Sequence, residues 1–313
     1  MHPRAAQWFT ERTSAASDWP PATIVAAKER TGDSVSIVIP ARDEAATIAD
    51  VVRRIIQDLV VGVGIVDELV VIDSLSTDRT AEVARLAGAD VHSVTQIRPD
   101  LGVFPGKGEA LWKSLFVTRG SLLVFIDADL TEWDTHFVTG LLGPLLAEQE
   151  IQLCRGFYDR VNSIGGSRTT EGGRVTELMA RPLIASRWPE LSAVVQPLAG
   201  EWAVRRSWFE QLPIPMGYGV EFATLVDTFS LGSIDAIAQV DLGSRAHRHQ
   251  HVHDLSAMAL EILSVAERRS CFRDDPPHSI TTISHFNRNG EGSWQTRGVN
   301  VAERPPASSL SAR

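Results

Sequence analysis

The stretch "LLVFIDADLTEW", residues 122–133, joins an apolar run directly to two carboxylates. Asp127 and Asp129 follow the run and are separated by a single residue. A short apolar run of this kind is typical of a strand that a sheet buries on both faces. Carboxylate oxygens are ligands that Mg²⁺ and Mn²⁺ accept, but an aspartate at a strand end also forms simple Asx turns. The sequence therefore predicts a buried strand whose end either holds a cation or makes a turn.

The sequence before this strand alternates apolar runs with amphipathic helical patterns. The runs are "SVSIVIP" (34–40), "DELVVID" (67–73) and "ADVHSV" (89–94), and a loop with a further helix precedes residue 122. This order predicts a parallel sheet with helices on both faces, as in nucleotide-binding α/β folds. Ligands of such sheets bind beyond the carboxyl ends of the strands, where Pro40, Asp73 and Asp127 lie.

The rest of the chain divides by composition and periodicity. We expect an N-terminal arm at 1–33, a nucleotide-sugar-binding half at 34–150, an acceptor-binding half of the same domain at 151–273 and a peripheral tail at 274–313. The third of these includes a strand at 151–161, a Gly/Ser/Thr loop, two helices, a strand and an amphipathic helix.

Composition and charge exclude several classes of protein. The chain has 313 residues, 43% hydrophobic and 22% charged, which is typical of a globular domain. The net charge of −9 argues against nonspecific nucleic-acid binding, which needs a basic surface. No apolar run approaches the ~20 residues that span a bilayer, and the first residues lack a secretory signal. Together with only two cysteines, these features predict a cytoplasmic protein without a membrane anchor.

Two strand ends offer polar groups to a nucleoside. In "VIPARDEAATI" (38–48), Asp43 and Glu44 could face a base or ribose, or could simply favour the helix dipole, with Asp43 as the helix cap. In "VIDSLSTDRT" (71–80), Asp73 and Ser74 could hydrogen-bond the base or ribose, whereas Ser76 could be a plain N-cap.

Two later motifs place a cation beside glycines. Lys107 in "GKGEAL" is not part of a Walker A loop, but it could aim a charge at an anion or lie solvated in a turn. In "TTEGGRVTEL" (169–178), Gly173, Arg174 and Thr176 at a helix start suit a phosphate or carboxylate, or form an ordinary loop. Alternating histidines in "GSRAHRHQHVH" (243–253) could complete a metal site with Asp129; a separate zinc site lacks the usual ligand spacing.

Taken together, "VSIVIPARDE", "VVIDSLSTDRT", "GKGEAL", "FIDAD", "QPLAGEWAVRR", "GYGVE" and "RAHR" resemble the GT-A-fold glycosyltransferases. More narrowly, the chain resembles the actinobacterial glucosyl-3-phosphoglycerate synthase family over residues ~34 to 270. It departs from the family pattern at Asp43, where Asn is more usual, at Trp202, where Tyr is, and at His249, where an amide is expected. The resemblance implies a GT-A fold with a mixed central sheet.

The resemblance also implies a reaction: retaining transfer of glucose from UDP-glucose to the 2-hydroxyl of 3-phosphoglycerate, with Mg²⁺ or Mn²⁺, by a homodimer of methylglucose lipopolysaccharide biosynthesis. The metal ligands it implies are Asp129 and His247, and the catalytic residues are Glu221, Asp129 and Lys107. The UDP-glucose site it implies comprises Pro40, Ala41, Arg42, Glu44, Ser74, Lys107, Asp127, Ala128, Leu198, Gly200 and Glu221. The 3-phosphoglycerate site it implies comprises Gly173, Arg174, Thr176 and His249.

Retention raises the question of a nucleophile, for which Glu221 is the candidate on motif grounds. We favour departure and attack on the same face of the sugar, with Glu221 orienting it rather than bonding to it. The alternatives are a mannosyl-3-phosphoglycerate synthase that uses a GDP-sugar, a polyprenyl-phosphate glycosyltransferase, and a non-catalytic nucleotide-sugar binder.

Overall fold

A computed structural model describes residues 2–162, 168–169, 173–247, 252–270, 280–287, 293–300 and 302–310. Helices and strands alternate through the first half of the chain. In order they are α1 (Pro3–Arg12), β1 (Thr13–Ala15), α2 (Pro21–Thr31), β2 (Val35–Ala41), α3 (Ile48–Ile55), β3 (Glu68–Asp73), α4 (Thr80–Ala87), β4 (Asp90–Ser93), α5 (Lys107–Ser114), β5 (Leu122–Phe125) and α6 (His136–Ala147). A π-helical turn at Ile56–Gly62 extends α3.

The second half has longer strands and two longer helices. The elements are β6 (Leu153–Asn162), β7 (Arg168–Thr169), α7 (Arg181–Arg187), β8 (Trp202–Arg205), α8 (Arg206–Phe209), β9 (Ile214–Pro215), α9 (Val220–Gly232), β10 (Ile237–His247), α10 (Val252–Arg269), β11 (Ile280–Asn287), β12 (Ser293–Asn300) and β13 (Glu303–Arg304). A π-helical turn at Thr176–Ala180 leads into α7.

One mixed sheet organises the described residues, with the strand order β1-β10-β6-β8-β5-β2-β3-β4 and β7 beside β6. Strands β2, β3, β4 and β5 pair in parallel with one another, as the alternating sequence predicts. Strand β8 is antiparallel to both β5 and β6 and joins the two halves. The α/β fold with a mixed central sheet, which the family resemblance implies, is therefore confirmed.

The central strands are buried on both faces because alternate residues pack into different cores. In β5, Leu123 and Phe125 belong to one hydrophobic cluster, whereas Leu122 and Val124 belong to the other. Successive side chains of a strand point to opposite faces, so a strand covered on both sides must be apolar throughout. This is why residues 122–126 contain no polar side chain before Asp127.

Both chain ends contact the main body more closely than their sequences suggest. In the segment expected to be an arm, β1 pairs with β10, and buried Trp8 donates to the Ile237 carbonyl at 2.8 Å. In the segment expected to be a peripheral tail, β13 pairs with β9, and Arg304 donates both arms of its guanidinium to Glu109 at 2.8 and 2.9 Å. Among the described residues, no helix is long and apolar enough to cross a membrane.

Candidate active site

The carboxyl ends of β2, β3 and β5 meet at one edge of the sheet, as the parallel pairing requires. Ala41 pairs with Asp73 across β2 and β3, and Asp127 lies two residues beyond the end of β5. Asp127 and Asp129 do not stand alone there, because two cations from distant parts of the chain reach them. These cations, Lys107 and Arg245, set the charge of the site.

Lys107 lies between two carboxylates. Its Nζ is 2.6 Å from Asp127 Oδ1 and 2.8 Å from Glu221 Oε1. The Lys107 side chain is only 16% exposed, and that of Glu221 only 6%. The alternative that Lys107 lies solvated in a turn is thus wrong, because its ammonium is buried and forms ion pairs with two carboxylates.

The glycines beside Lys107 allow its loop to approach another segment closely. A Cβ on Gly106 would lie 2.3 Å from the Met216 carbonyl oxygen, and one on Gly108 would lie 1.7 Å from that of Pro215. Backbone hydrogen bonds from Gly108 to Gly217 (3.2 Å) and from Glu109 to Met216 (3.0 Å) fix this approach. The contact brings the start of α5 against the loop before α9, and so brings Lys107 to Glu221.

Arg245, on β10, gathers the other acidic groups of the site. Its guanidinium lies 2.7 Å from Asp129 Oδ1, 2.6 Å from Glu201 Oε1 and 3.3 Å from Asp127 Oδ2. It also donates to the Tyr158 hydroxyl oxygen at 3.0 Å. Asp127 therefore has a cation on each oxygen, and Asp129 has Arg245 on one.

These contacts shift the protonation equilibria in a consistent direction. Burial opposes the charge of Lys107, but Asp127 and Glu221 more than offset it, so its pKa is raised. Burial likewise works against ionised Asp127, yet Lys107 and Arg245 hold its pKa well below the ordinary range. Burial raises the pKa of Glu201, with Arg245 acting in the opposite direction. Lys107 and Asp127 are accordingly both charged at neutral pH.

The strand ends of β2 and β3 leave one buried acceptor open. Asp73 is 9% exposed, and within the described ranges no hydrogen-bond donor reaches its Oδ1. The neighbouring Ser74 is buried and its amide donates to the Ala41 carbonyl at 2.8 Å. A buried carboxylate oxygen without a donor fits a ligand N–H, such as that of a uracil ring, because an unsatisfied buried acceptor is costly.

The expectation that Asp43 caps the following helix is wrong. Helix α3 begins only at Ile48, and Asp43 has a left-handed φ of 56°. Its carboxylate instead accepts from the amides of Thr77 (2.7 Å) and Asp78 (3.3 Å) in the next loop. Those hydrogen bonds hold the pKa of Asp43 below its usual range.

Ser76 is likewise not an N-cap. Its Oγ accepts from the Asp43 amide at 3.0 Å, and α4 begins later, at Thr80. The β2–α3 and β3–α4 loops are therefore hydrogen-bonded to each other at the carboxyl edge of the sheet. The remaining residues predicted for the donor site lie along this edge or across from it: Pro40, Ala41, Arg42 and Glu44 at the end of β2, Ala128 after β5, and Leu198 and Gly200 before β8.

Gly200 lies directly against the Asp127 carboxylate. A Cβ at this position would lie 2.2 Å from Asp127 Oδ2. A glycine is therefore required for the segment before β8 to close over the carboxylate.

The residues predicted for the acceptor site are only partly described. Gly173 and exposed Arg174 lead into the π-helical turn that begins at Thr176, and Thr176 itself is buried. His249 lies outside the described residues. His247 ends β10 two residues after Arg245, and its side chain lies outside the described part of the chain.

The cluster has an excess of carboxylates of the type that hard divalent cations accept. Among the described residues, Asp127, Asp129, Glu201 and Glu221 are paired with two cations, Lys107 and Arg245, so acidic groups outnumber basic ones. Carboxylate oxygens are the ligands that Mg²⁺ and Mn²⁺ prefer. Within the part of the chain that the structure describes, no three acidic, histidine or cysteine side chains are grouped to hold a metal, so the pair Asp129 and His247 stays a prediction.

Three central residues were missed by sequence reasoning: Arg245, Glu201 and Tyr158. Arg245 begins "RAHR" and Glu201 lies in "QPLAGEWAVRR", both motifs of the family resemblance, whereas Tyr158 lies in the strand predicted at 151–161. A charged residue inside an otherwise apolar strand or next to a glycine was the available signal. It did not reveal the partners, because Arg245 and Asp127 are 118 positions apart in the chain.

Comparisons with known proteins find a matching family and several similar proteins. Residues 36–212 match the family described as "Glycosyl transferase family 2". The glucosyl-3-phosphoglycerate synthase of Mycolicibacterium paratuberculosis is 42% identical over 98% of this chain and 93% of its own length.

Solved structures are similar over nearly the whole chain as well. The glucosyl-3-phosphoglycerate synthase of Mycobacterium tuberculosis in complex with Mn²⁺, UDP and phosphoglyceric acid superposes with a TM-score of 0.83 at 42% identity, covering 93% of this chain and 95% of that one. The same enzyme with Mn²⁺ and UDP-glucose gives a TM-score of 0.82 at 42% identity, with the same coverage.

Proposed function

Because the chain belongs to glycosyl transferase family 2 and, within it, to the glucosyl-3-phosphoglycerate synthases, we propose that it transfers glucose from UDP-glucose to the 2-hydroxyl of 3-phosphoglycerate and releases UDP. The observation that carries the proposal is the cluster of Lys107, Asp127, Arg245 and Asp129 at the carboxyl end of β5, with Glu221 beside it. This is where an α/β sheet binds a nucleotide.

The donor nucleotide lies, in this proposal, along the ends of β2 and β3. Asp73 Oδ1 accepts from the base, and Ser74 with Pro40, Ala41, Arg42 and Glu44 lines the uridine pocket. The support for this is the open buried acceptor of Asp73 beside the two hydrogen-bonded loops. Asp127 and Ala128 then face the ribose and phosphates, and Lys107 is the cation nearest the departing UDP.

Asp129 and His247 would hold a Mg²⁺ or Mn²⁺ ion, which would supply Lewis-acid stabilisation of the diphosphate leaving group. The excess of carboxylates over cations supports its presence. Arg245 fixes the orientation of Asp129, because their side chains are joined at 2.7 Å. Lys107 adds a fixed positive charge where negative charge develops.

Glu221 orients the sugar and does not bond to it, with Leu198 and Gly200 lining the same side of the pocket. The pairing of its carboxylate with Lys107 at 2.8 Å supports this role, since a cation on the oxygen lowers its nucleophilicity. Retention then comes from departure and attack on one face of the sugar. Glu221→Gln should keep a partial rate and form no covalent adduct; isolation of a glycosyl–Glu221 species would refute the same-face mechanism.

The acceptor is held by Gly173, Arg174, Thr176 and His249. Arg174 is exposed at the start of a helical segment, where a guanidinium can bind a phosphate or carboxylate in a bidentate manner. A chain with a net charge of −9 needs such local cations to capture a trianionic acceptor. The homodimer remains a proposal, to be tested by sedimentation, and the cytoplasmic location stays a prediction.

UDP release from UDP-glucose, measured with and without 3-phosphoglycerate and with and without Mg²⁺, tests the function. We expect release only when all three are present, loss of release in Asp129→Ala, and normal release in the matched control Asp134→Ala, an exposed aspartate of the same segment. Release that requires a lipid phosphate, or a strong preference for GDP-mannose, would replace the proposed substrates. Binding of UDP-glucose without any release would indicate a non-catalytic binder.

A further inference from the structure

Arg155 is a buried arginine whose contacts are mainly with neutral groups. It lies on β6, is 1% exposed and packs its guanidinium over the Trp202 ring at 4.8 Å. It donates hydrogen bonds to the Glu221 carbonyl and the Thr224 hydroxyl, and its other terminal nitrogen lies 3.5 Å from the Ala199 carbonyl oxygen. Burial lowers its pKa to about 10, so it remains a cation at neutral pH.

Burying such a residue has an unfavourable desolvation free energy, so it contributes little to the stability of the fold. Removing a charge from water is unfavourable unless an opposite charge compensates it, and apolar residues of similar volume often replace buried charges without loss of stability. Within the part of the chain described, Arg155 has no carboxylate at ion-pair distance, although the Glu221 carboxylate acts on it from further away. We therefore look for its role in the segments that its hydrogen bonds connect, those of Ala199 and Glu221.

The carbonyls that it binds belong to two separate segments beside the charged cluster, which we call the sugar-binding walls. Ala199 precedes Gly200, which closes over the Asp127 carboxylate. Glu221 lies in the first turn of α9 and carries the carboxylate paired with Lys107. The Thr224 hydroxyl also donates to the Val220 carbonyl at 2.9 Å, so the hydrogen bond from Arg155 to Thr224 connects Arg155 to the first turn of α9.

We infer that Arg155 is a positioning residue that sets the spacing of the sugar-binding walls, and thereby the discrimination between UDP-glucose and UDP alone. This inference rests on the proposed function, since it assigns Gly200 and Glu221 to the glucose. The base and ribose contacts lie at β2 and β3, on other segments of the pocket. Loss of Arg155 should consequently weaken binding of the sugar and leave binding of the nucleotide unchanged.

The test compares Arg155→Met, Arg155→Lys and a matched control, Arg205→Met. Arg205 is also a buried arginine that donates to backbone carbonyls, among them that of Ile151 at 3.0 Å, but it ends β8 opposite Leu122, at the start of β5 and away from the carboxyl end where Asp127 lies. Calorimetric titration of each variant with UDP and with UDP-glucose, in the presence of Mn²⁺, gives the ratio of the two dissociation constants. Steady-state assays with UDP-glucose give kcat for each variant.

For Arg155→Met we expect the Kd of UDP-glucose to rise about tenfold while that of UDP changes less than about twofold, with a fall in kcat. Arg155→Lys keeps the charge but reaches fewer carbonyls, so its ratio should lie between those of wild type and Arg155→Met; it decides the matter if the methionine variant does not fold. Arg205→Met should keep the wild-type ratio whatever its stability.

Equal weakening of UDP and UDP-glucose, or an unchanged ratio, would overturn the inference while wild-type turnover leaves the proposed function standing. Absence of wild-type turnover with UDP-glucose and 3-phosphoglycerate would instead refute the proposed function, and the inference with it.

Discussion

Replacing Lys107 by methionine tests the ionic centre of the site. The Lys107 ammonium separates two carboxylates at 2.6 and 2.8 Å, and none of the three side chains is more than 25% exposed. Breaking a buried ion pair by removing one partner costs about 3–5 kcal/mol. Arg245 still faces Asp127 at 3.3 Å, so we expect the lower end, about 3 kcal/mol of unfolding free energy.

The same change should lower kcat about 10²- to 10³-fold, because it removes a fixed cation from the place where negative charge develops. Urea unfolding and steady-state kinetics measure the two effects. Lys28→Met is the matched control: it removes an ion pair to Asp67 of 2.8 Å whose acidic partner is 46% exposed, and it should cost at most about 1 kcal/mol.

The double variant Lys107→Met/Glu221→Gln should be more stable than the sum of the single losses implies, because the partner no longer carries an unpaired charge. Strict additivity of the two substitutions, or a kcat within about threefold of wild type, would refute the assignment of Lys107 as the shared cation.

Three further predictions follow from charge and packing. The pKa of Asp127 is lowered and that of Lys107 is raised. The stabilisation from Asp127 is therefore present above its ordinary pKa of about 3.9 and lost as pH falls through its folded pKa, whereas that from Lys107 is present below about 10.4 and lost as pH rises through its folded pKa. Urea unfolding measured against pH should show a plateau of stability between these limits, and Asp127→Asn should lose less stability on the acid side. Gly200→Ala places a Cβ 2.2 Å from Asp127 Oδ2, so the carboxylate or the segment before β8 must shift, and we expect weaker UDP binding by calorimetry together with a lower melting temperature. Arg304→Met leaves Glu109, which is 0% exposed, without its two hydrogen bonds and should cost about 3 kcal/mol by urea unfolding, while Arg304→Lys should cost less.

The sheet could be predicted from the sequence because its strands are buried on both faces. An apolar run such as residues 122–126 has few other stable positions, so its place near the middle of the sheet followed from composition. Asp127 and Asp129 could be assigned to the site for the same reason, since carboxyl ends of parallel strands meet at one edge.

Features that depend on distant partners could not be predicted in this way. Asp43 looks like a helix cap locally, but its left-handed φ and its hydrogen bonds to 77–78 are set by the neighbouring loop. Strands β1 and β13 have three and two residues, too few for a period to show. Arg245 lies 116 positions from Asp129, and nothing local marks the pair.

The balance of charge in the site leads to a final prediction about how the diphosphate binds. Lys107 is paired with Asp127 and Glu221, and Arg245 with Asp127, Asp129 and Glu201. Neither cation therefore offers unneutralised charge to a diphosphate, and the carboxylates around them repel it. A divalent cation bound beside Asp129 reverses this repulsion, so we expect UDP to bind at least about tenfold more tightly with Mn²⁺ than with EDTA. Calorimetry of wild type and of Asp129→Ala measures this, and the variant should bind UDP equally weakly under both conditions. Metal-independent binding of UDP by the wild type would show that Lys107 and Arg245 release their carboxylates to the ligand, and that charge neutralisation in the site comes from the protein alone.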